Sequence, residues 1–152
     1  HERLGYNYRM SELNAALGVA QMKKLSQILD MRQQVAEMYN QRLQNIPGVQ
    51  LPYQDTSVKM SWFVYVIRLA PHIDRAKVVN YLLEAGIGCK PYFPTIHLQP
   101  FYVKQFGFKA GDFPVTEQVA EQTLAIPFYT TLTDKEIDYV GTKLEEAIAL
   151  AQ

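Results

Sequence analysis

Three places in this chain carry side chains that could do chemistry. The first is Gly5-Tyr6-Asn7-Tyr8-Arg9. Asn7 offers an amide donor and Arg9 a planar guanidinium fork. Ser11 and Glu12 follow, a pair suited to the first turn of a helix. A helix N-terminus presents free N–H groups, so a phosphate or carboxylate would be well received beside Asn7 and Arg9. A surface turn with packed tyrosines is the competing reading. The second place is His97, within Tyr92–Tyr102 (YFPTIHLQPFY), where Pro94 and Pro100 restrict the backbone. A histidine on such a stiffened aromatic loop can donate a hydrogen bond to a ligand. It can equally cap the next turn or sit satisfied in the core. The third place is Cys89-Lys90. Cys89 lies in an apolar stretch with no visible activating partner, which argues against a nucleophilic thiolate. Lys90 lacks any Schiff-base signature and reads as a solvated lysine at a strand edge. One cysteine leaves no zinc-ligand set of recognised spacing, so no metal site is expected. There is no phosphate-cradling glycine loop and no H-E-x-x-H.

These groups need elements to hold them. Ser11 predicts the start of a helix with Leu13, Ala16, Leu17 and Ala20 on one face and Gly18 inside it. A second helix is expected over about Ser26–Asn45, with Ile28, Met31, Val35, Met38, Tyr39, Arg42 and Ile46 near helical spacing. Pro47-Gly48 ends it. The period then shortens. Ser61–Leu69 (SWFVYVIRL) reads as a strand buried on both faces. Asp74 caps a helix carrying Val78, Val79, Leu82 and Leu83, closed by Gly86. Ile87–Tyr92 is a second strand, and His97–Phe106 a short helix or turn. Asp112 and Pro114 open a helix with Val115, Val119 and Ala120 inward. Leu124–Pro127 is a third strand. Thr133 and Glu136 form a capping box ahead of Ile137, Val140, Leu144 and Ile148.

That order predicts an α+β domain: a small, mostly antiparallel sheet with helices on one face, preceded by long helices. Residues 1–47 form the helical lead-in and 48–152 the α+β domain. The lead-in either bridges two domains or packs within one. Exposed, its apolar stripe from Leu13 to Ile46 would make the chain self-associate.

With 152 residues there is room for one domain with a sizeable core. An apolar content of 48% excludes a disordered tail. Fifteen basic residues balance fifteen acidic ones, which leaves no field to hold nucleic acid. No apolar run reaches the roughly 20 residues of a membrane helix, so no membrane partner is expected. The single cysteine fits a reducing cytoplasm.

The blocks GYNYRMSELNAALGVAQ, SWFVYVIRL, GIGCKPYFPTIHLQPFY and FGFKAGDFPVTEQVAEQTLAIPFYTTLTDKEIDYV, in that order, resemble the C-terminal part of the DegT/DnrJ/StrS sugar aminotransferases. The YFPTIHLQPFY block looks closest to the perosamine-synthase-like branch. The resemblance implies the small domain of the aspartate aminotransferase fold (fold type I) and a cytoplasmic homodimer using pyridoxal 5'-phosphate. It implies amino transfer from glutamate to a keto carbon of a nucleotide-linked sugar. It places Asn7, with Arg9 beside it, at the cofactor phosphate of the neighbouring subunit. His97, flanked by Tyr92 and Phe93, is implied near the sugar-nucleotide. The family's Schiff-base lysine and the acidic partner of its pyridine nitrogen lie upstream of the GYNYR block. No catalytic residue is therefore expected in this chain, and the chain alone is expected to be inactive. The alternative is a non-enzymatic regulatory or binding module that reuses the fold.

Overall fold

A computed structural model describes Gly5, Tyr6 and residues 8–152. Helix α1 spans Glu12–Met22 and α2 spans Leu25–Leu43. Strand β1 (Val49–Gln50) follows, then β2 (Tyr65–Leu69), α3 (Arg75–Glu84) and β3 (Lys90–Pro91). A 3-10 turn at Ile96–Leu98 leads into α4 (Pro100–Phe106) and α5 (Pro114–Gln122). Strand β4 (Thr123–Ile126) and the terminal helix α6 (Asp134–Leu150) complete the chain. The four strands run in the order β1-β2-β4-β3, and every pairing is antiparallel. The α+β class, with its small antiparallel sheet, is what the sequence predicts.

The core lies on one face of the sheet. Tyr65, Ile67 and Leu69 of β2 and Leu124 and Ile126 of β4 share that face, because Tyr65 pairs with Ile126 and Ile67 with Leu124. Val35, Tyr39 and Leu43 of α2 pack there, with Val78 and Leu82 of α3 and the buried stripe of α6. The helix ends follow the sequence. Asp74 accepts from the N–H groups of Ala76 and Lys77. Thr133 and Glu136 form the expected capping box. Gly86 takes φ +77°, the left-handed closure that glycine permits after α3.

The differences have physical causes. The strand expected over Ser61–Leu69 begins only at Tyr65. Trp62 instead adopts φ +42° and turns its ring into the core, stacked on Tyr65 at 5.7 Å. Its indole Nε1 donates to Gln33 Oε1 at 2.8 Å. The second strand shrinks to Lys90–Pro91, since Pro91 has no N–H to extend a ladder. The pairing of Val49-Gln50 with β2 was not predicted, as two residues carry no periodicity. On α5 the inward residues are Val119 and Ala120, whereas Val115 is 74% exposed. Helix α1 buries none of its residues, and Leu13 and Leu17 stand in solvent. No helix among the described residues is long and apolar enough to cross a membrane.

Candidate functional site

Two regions contain the residues singled out from sequence. In the first, Ser11 caps α1, its Oγ accepting from the Asn14 N–H at 3.3 Å. Arg9 lies exposed in the irregular segment ahead of that cap, and the Tyr6 and Tyr8 rings lie 5.7 Å apart, both largely exposed. Asn7 lies outside the described residues.

The second region is a cavity of about 590 Å³ beyond β3. Tyr92, Phe93 and His97 line one side of it, and Tyr102, Phe108 and Phe113 contribute further rings. Thr95, Thr116 and Thr123 add aliphatic hydroxyls to the phenols of Tyr92 and Tyr102. The structure therefore brings the three expected substrate-side residues together. Arg9 is not part of this lining.

Local structure explains the arrangement. Thr123, at the start of β4, donates from Oγ1 to the Tyr92 carbonyl at 3.3 Å, which holds the chain leaving β3 against the sheet. Phe93 follows with φ +55°, a backbone state costly for a residue with a Cβ. The turn leaves Phe93 66% exposed at the rim, its ring centroid 4.4 Å from that of Tyr92. Strain of this kind persists only where surrounding structure enforces it. Pro94 and the 3-10 turn then bring His97 back inward, where it is 7% exposed.

His97 is both a wall of the cavity and a satisfied buried group. Its Nε2 lies 2.9 Å from Glu117 Oε1. Its ring meets Phe113 edge-on at 4.8 Å and Phe108 at 6.4 Å. Glu117 also accepts from the Gly111 N–H at 2.9 Å and the Phe113 N–H at 3.3 Å. Those contacts hold its carboxyl below the usual carboxylate range, the Gly111 N–H most strongly and His97 next. Sequence reading did not single out Glu117. The available signal was an acidic residue in the first turn of a proline-led helix, which ordinarily means dipole compensation and no more.

Lys90 lies exposed on β3, opposite Ala125. Cys89 is half-buried, and burial pushes its thiol up, away from the thiolate a nucleophile needs. No cluster of three or more potential metal ligands occurs among the described residues.

Comparison with known proteins follows the same lines. Residues 1–145 match the DegT/DnrJ/EryC1/StrS aminotransferase family. The spore coat polysaccharide biosynthesis protein SpsC of Bacillus subtilis is 33% identical over 91% of this chain and 37% of its own length. The dTDP-4-dehydro-2,3,6-trideoxy-D-glucose 4-aminotransferase of Saccharopolyspora spinosa is 31% identical over 97% of this chain and 37% of its own. Among solved structures, E. coli GDP-4-keto-6-deoxy-D-mannose-3-dehydratase with bound hydrated PLP superimposes with a TM-score of 0.80 at 25% identity. That match covers 92% of this chain and 36% of the dehydratase. The chain thus spans well under half the length of the relatives it matches.

Proposed function

The chain belongs to the DegT/DnrJ/EryC1/StrS aminotransferase family, and on that premise we propose that it is the C-terminal portion of a pyridoxal-phosphate enzyme acting on nucleotide-linked sugars. The reaction proposed is transfer of an amino group from glutamate to a keto carbon of the sugar, in a cytoplasmic homodimer. One observation carries the reading: the family match runs from residue 1 to residue 145, through both candidate regions. The two sequence relatives support it, one being a polysaccharide biosynthesis protein and the other an aminotransferase of a dTDP-linked keto sugar.

The donors near the start of the chain fit a phosphate. Arg9 is an exposed guanidinium just ahead of the α1 N-terminus. Asn7 and Arg9 would hold the cofactor phosphate of a neighbouring copy. When bound, the cofactor supplies the electron sink for amino transfer. This chain's part is binding and orientation. Residues 1–47 lead from the cofactor-binding domain into 48–152. Tyr92 and Phe93 offer ring faces to the sugar-nucleotide, and His97 a wall of fixed orientation. Lys90 does not stand in for the Schiff-base lysine, so the chain alone is inactive.

Mixing this chain with a separately produced N-terminal portion tests the reading. The mixture is expected to gain the absorbance of bound cofactor and to aminate a keto nucleotide-sugar with glutamate, while neither part does so alone. If the mixture stays colourless and the intact longer protein also fails to bind cofactor, the reading is wrong.

A further inference from the structure

We propose that Glu117 is a positioning residue for the aromatic cavity. It sets which nitrogen of His97 carries the proton, and it ties the two walls of the cavity into one unit. Glu117 does not line the cavity itself, so anything it does there it does through its neighbours. Its carboxylate collects three donors from two separate segments: His97 on the 3-10 turn, and the Gly111 and Phe113 N–H groups ahead of α5.

The segment before α5 needs such a tie. No helix or strand covers residues 107–113, and Gly107 and Gly111 take φ of +73° and +92°. Phe113, the residue before the first turn of α5, makes no side-chain cap of its own. Yet this segment supplies Phe108 and Phe113, whose rings meet His97 edge-on. Without Glu117, the contact between these rings and the Tyr92–His97 wall would rest on ring packing alone.

A carboxylate only accepts hydrogen bonds. His97 must therefore present a protonated Nε2 to Glu117, which leaves Nδ1 as the acceptor of the neutral ring. Removing and restoring the acceptor separates this role from packing. In E117Q the amide oxygen can take the place of Oε1, the atom that meets His97 Nε2 and the Gly111 and Phe113 N–H groups alike. In E117A nothing accepts from Nε2, and the preference for a proton there is relaxed.

The consequence for substrate rests on the reading that this cavity receives the sugar-nucleotide. Measurements on E117A, with E117Q as the rescue, keep the proposal apart from that reading. Nitrogen-15 imidazole spectra of this chain are expected to show His97 protonated at Nε2 in the wild type and in E117Q, and a mixture of the two tautomers in E117A, with backbone amides outside residues 96–120 unchanged. In the longer parent enzyme, E117A is expected to raise KM for the keto nucleotide-sugar about tenfold, the scale of one hydrogen bond to a charged group, with E117Q near the wild type and KM for the amino donor unchanged. An unaltered His97 spectrum in E117A overturns the proposal, as does an altered one with both KM values unchanged. A wild-type parent with no aminotransferase activity sinks the functional reading instead, and the spectra then decide the proposal.

Discussion

Tyr39 and Tyr65 are fully buried and stacked at 4.9 Å, yet each hydroxyl is satisfied. Tyr39 donates to the Pro127 carbonyl at 2.7 Å, and Tyr65 donates to Asn40 Oδ1. Burial pushes both phenols well above the ordinary tyrosine value. The folded state thus binds their protons more tightly than the unfolded chain does. Their contribution is complete below the unfolded value of about 10 and falls as pH rises above it. Titration to high pH, followed by phenolate absorbance and far-UV circular dichroism, is expected to show these two rings ionising only as the chain unfolds. Their ionisation with helical signal intact would contradict the packing described. At this scale the sequence was informative about candidates but not about roles. His97 was conspicuous on its proline-bounded loop, whereas Glu117, which fixes it, looked like any first-turn acid. Twenty residues separate the two, and no local pattern links them.

Among the elements, α2 and α6 are joined by a clamp. Arg42 of α2 donates to Asp138 and Glu145 at 2.8 Å each and to Thr142 at 3.1 Å. Its side chain crosses α6 at Gly141, where an added Cβ would come within 2.7 Å of the Arg42 Cζ. Asp138 is largely exposed and Glu145 about half so, which puts these pairs at the weak end of the range for ion pairs. Arg42→Ala is therefore expected to cost about 1 kcal/mol, part of it from lost side-chain packing. Gly141→Ala should destabilise the wild type by displacing Arg42. In the R42A background the same change should be neutral or stabilising by up to about 1 kcal/mol, from helix propensity. Urea unfolding of the four proteins tests the sign change. Equal effects in both backgrounds would mean the glycine is not there for Arg42. From sequence, Arg42 was placed on the apolar stripe by spacing, but its partners 96 to 103 residues away were not legible.

At the scale of the molecule, α1 stands apart from the core. Met10, Leu13, Leu17, Val19 and Met22 are all more than half exposed. Apolar side chains exposed in this number associate in water. The chain is expected to show a scattering mass that rises with concentration, and Leu13→Glu with Leu17→Glu should return it to monomer. A concentration-independent monomer for the wild type would refute this.

What the sequence determined was local. Capping residues at Ser11, Asp74 and Thr133, the closure at Gly86 and the apolar stripe of α6 act within a turn or two of chain, and each is found where it was expected. The fold class followed from the order of those elements. Only the tertiary structure decided the rest: that Trp62 leaves the strand to fill the core, that a two-residue strand closes the sheet edge, and that a carboxylate on α5 meets His97. These depend on which surfaces meet across the sheet, and side chains distant in sequence carry no mark of one another until the backbone has folded.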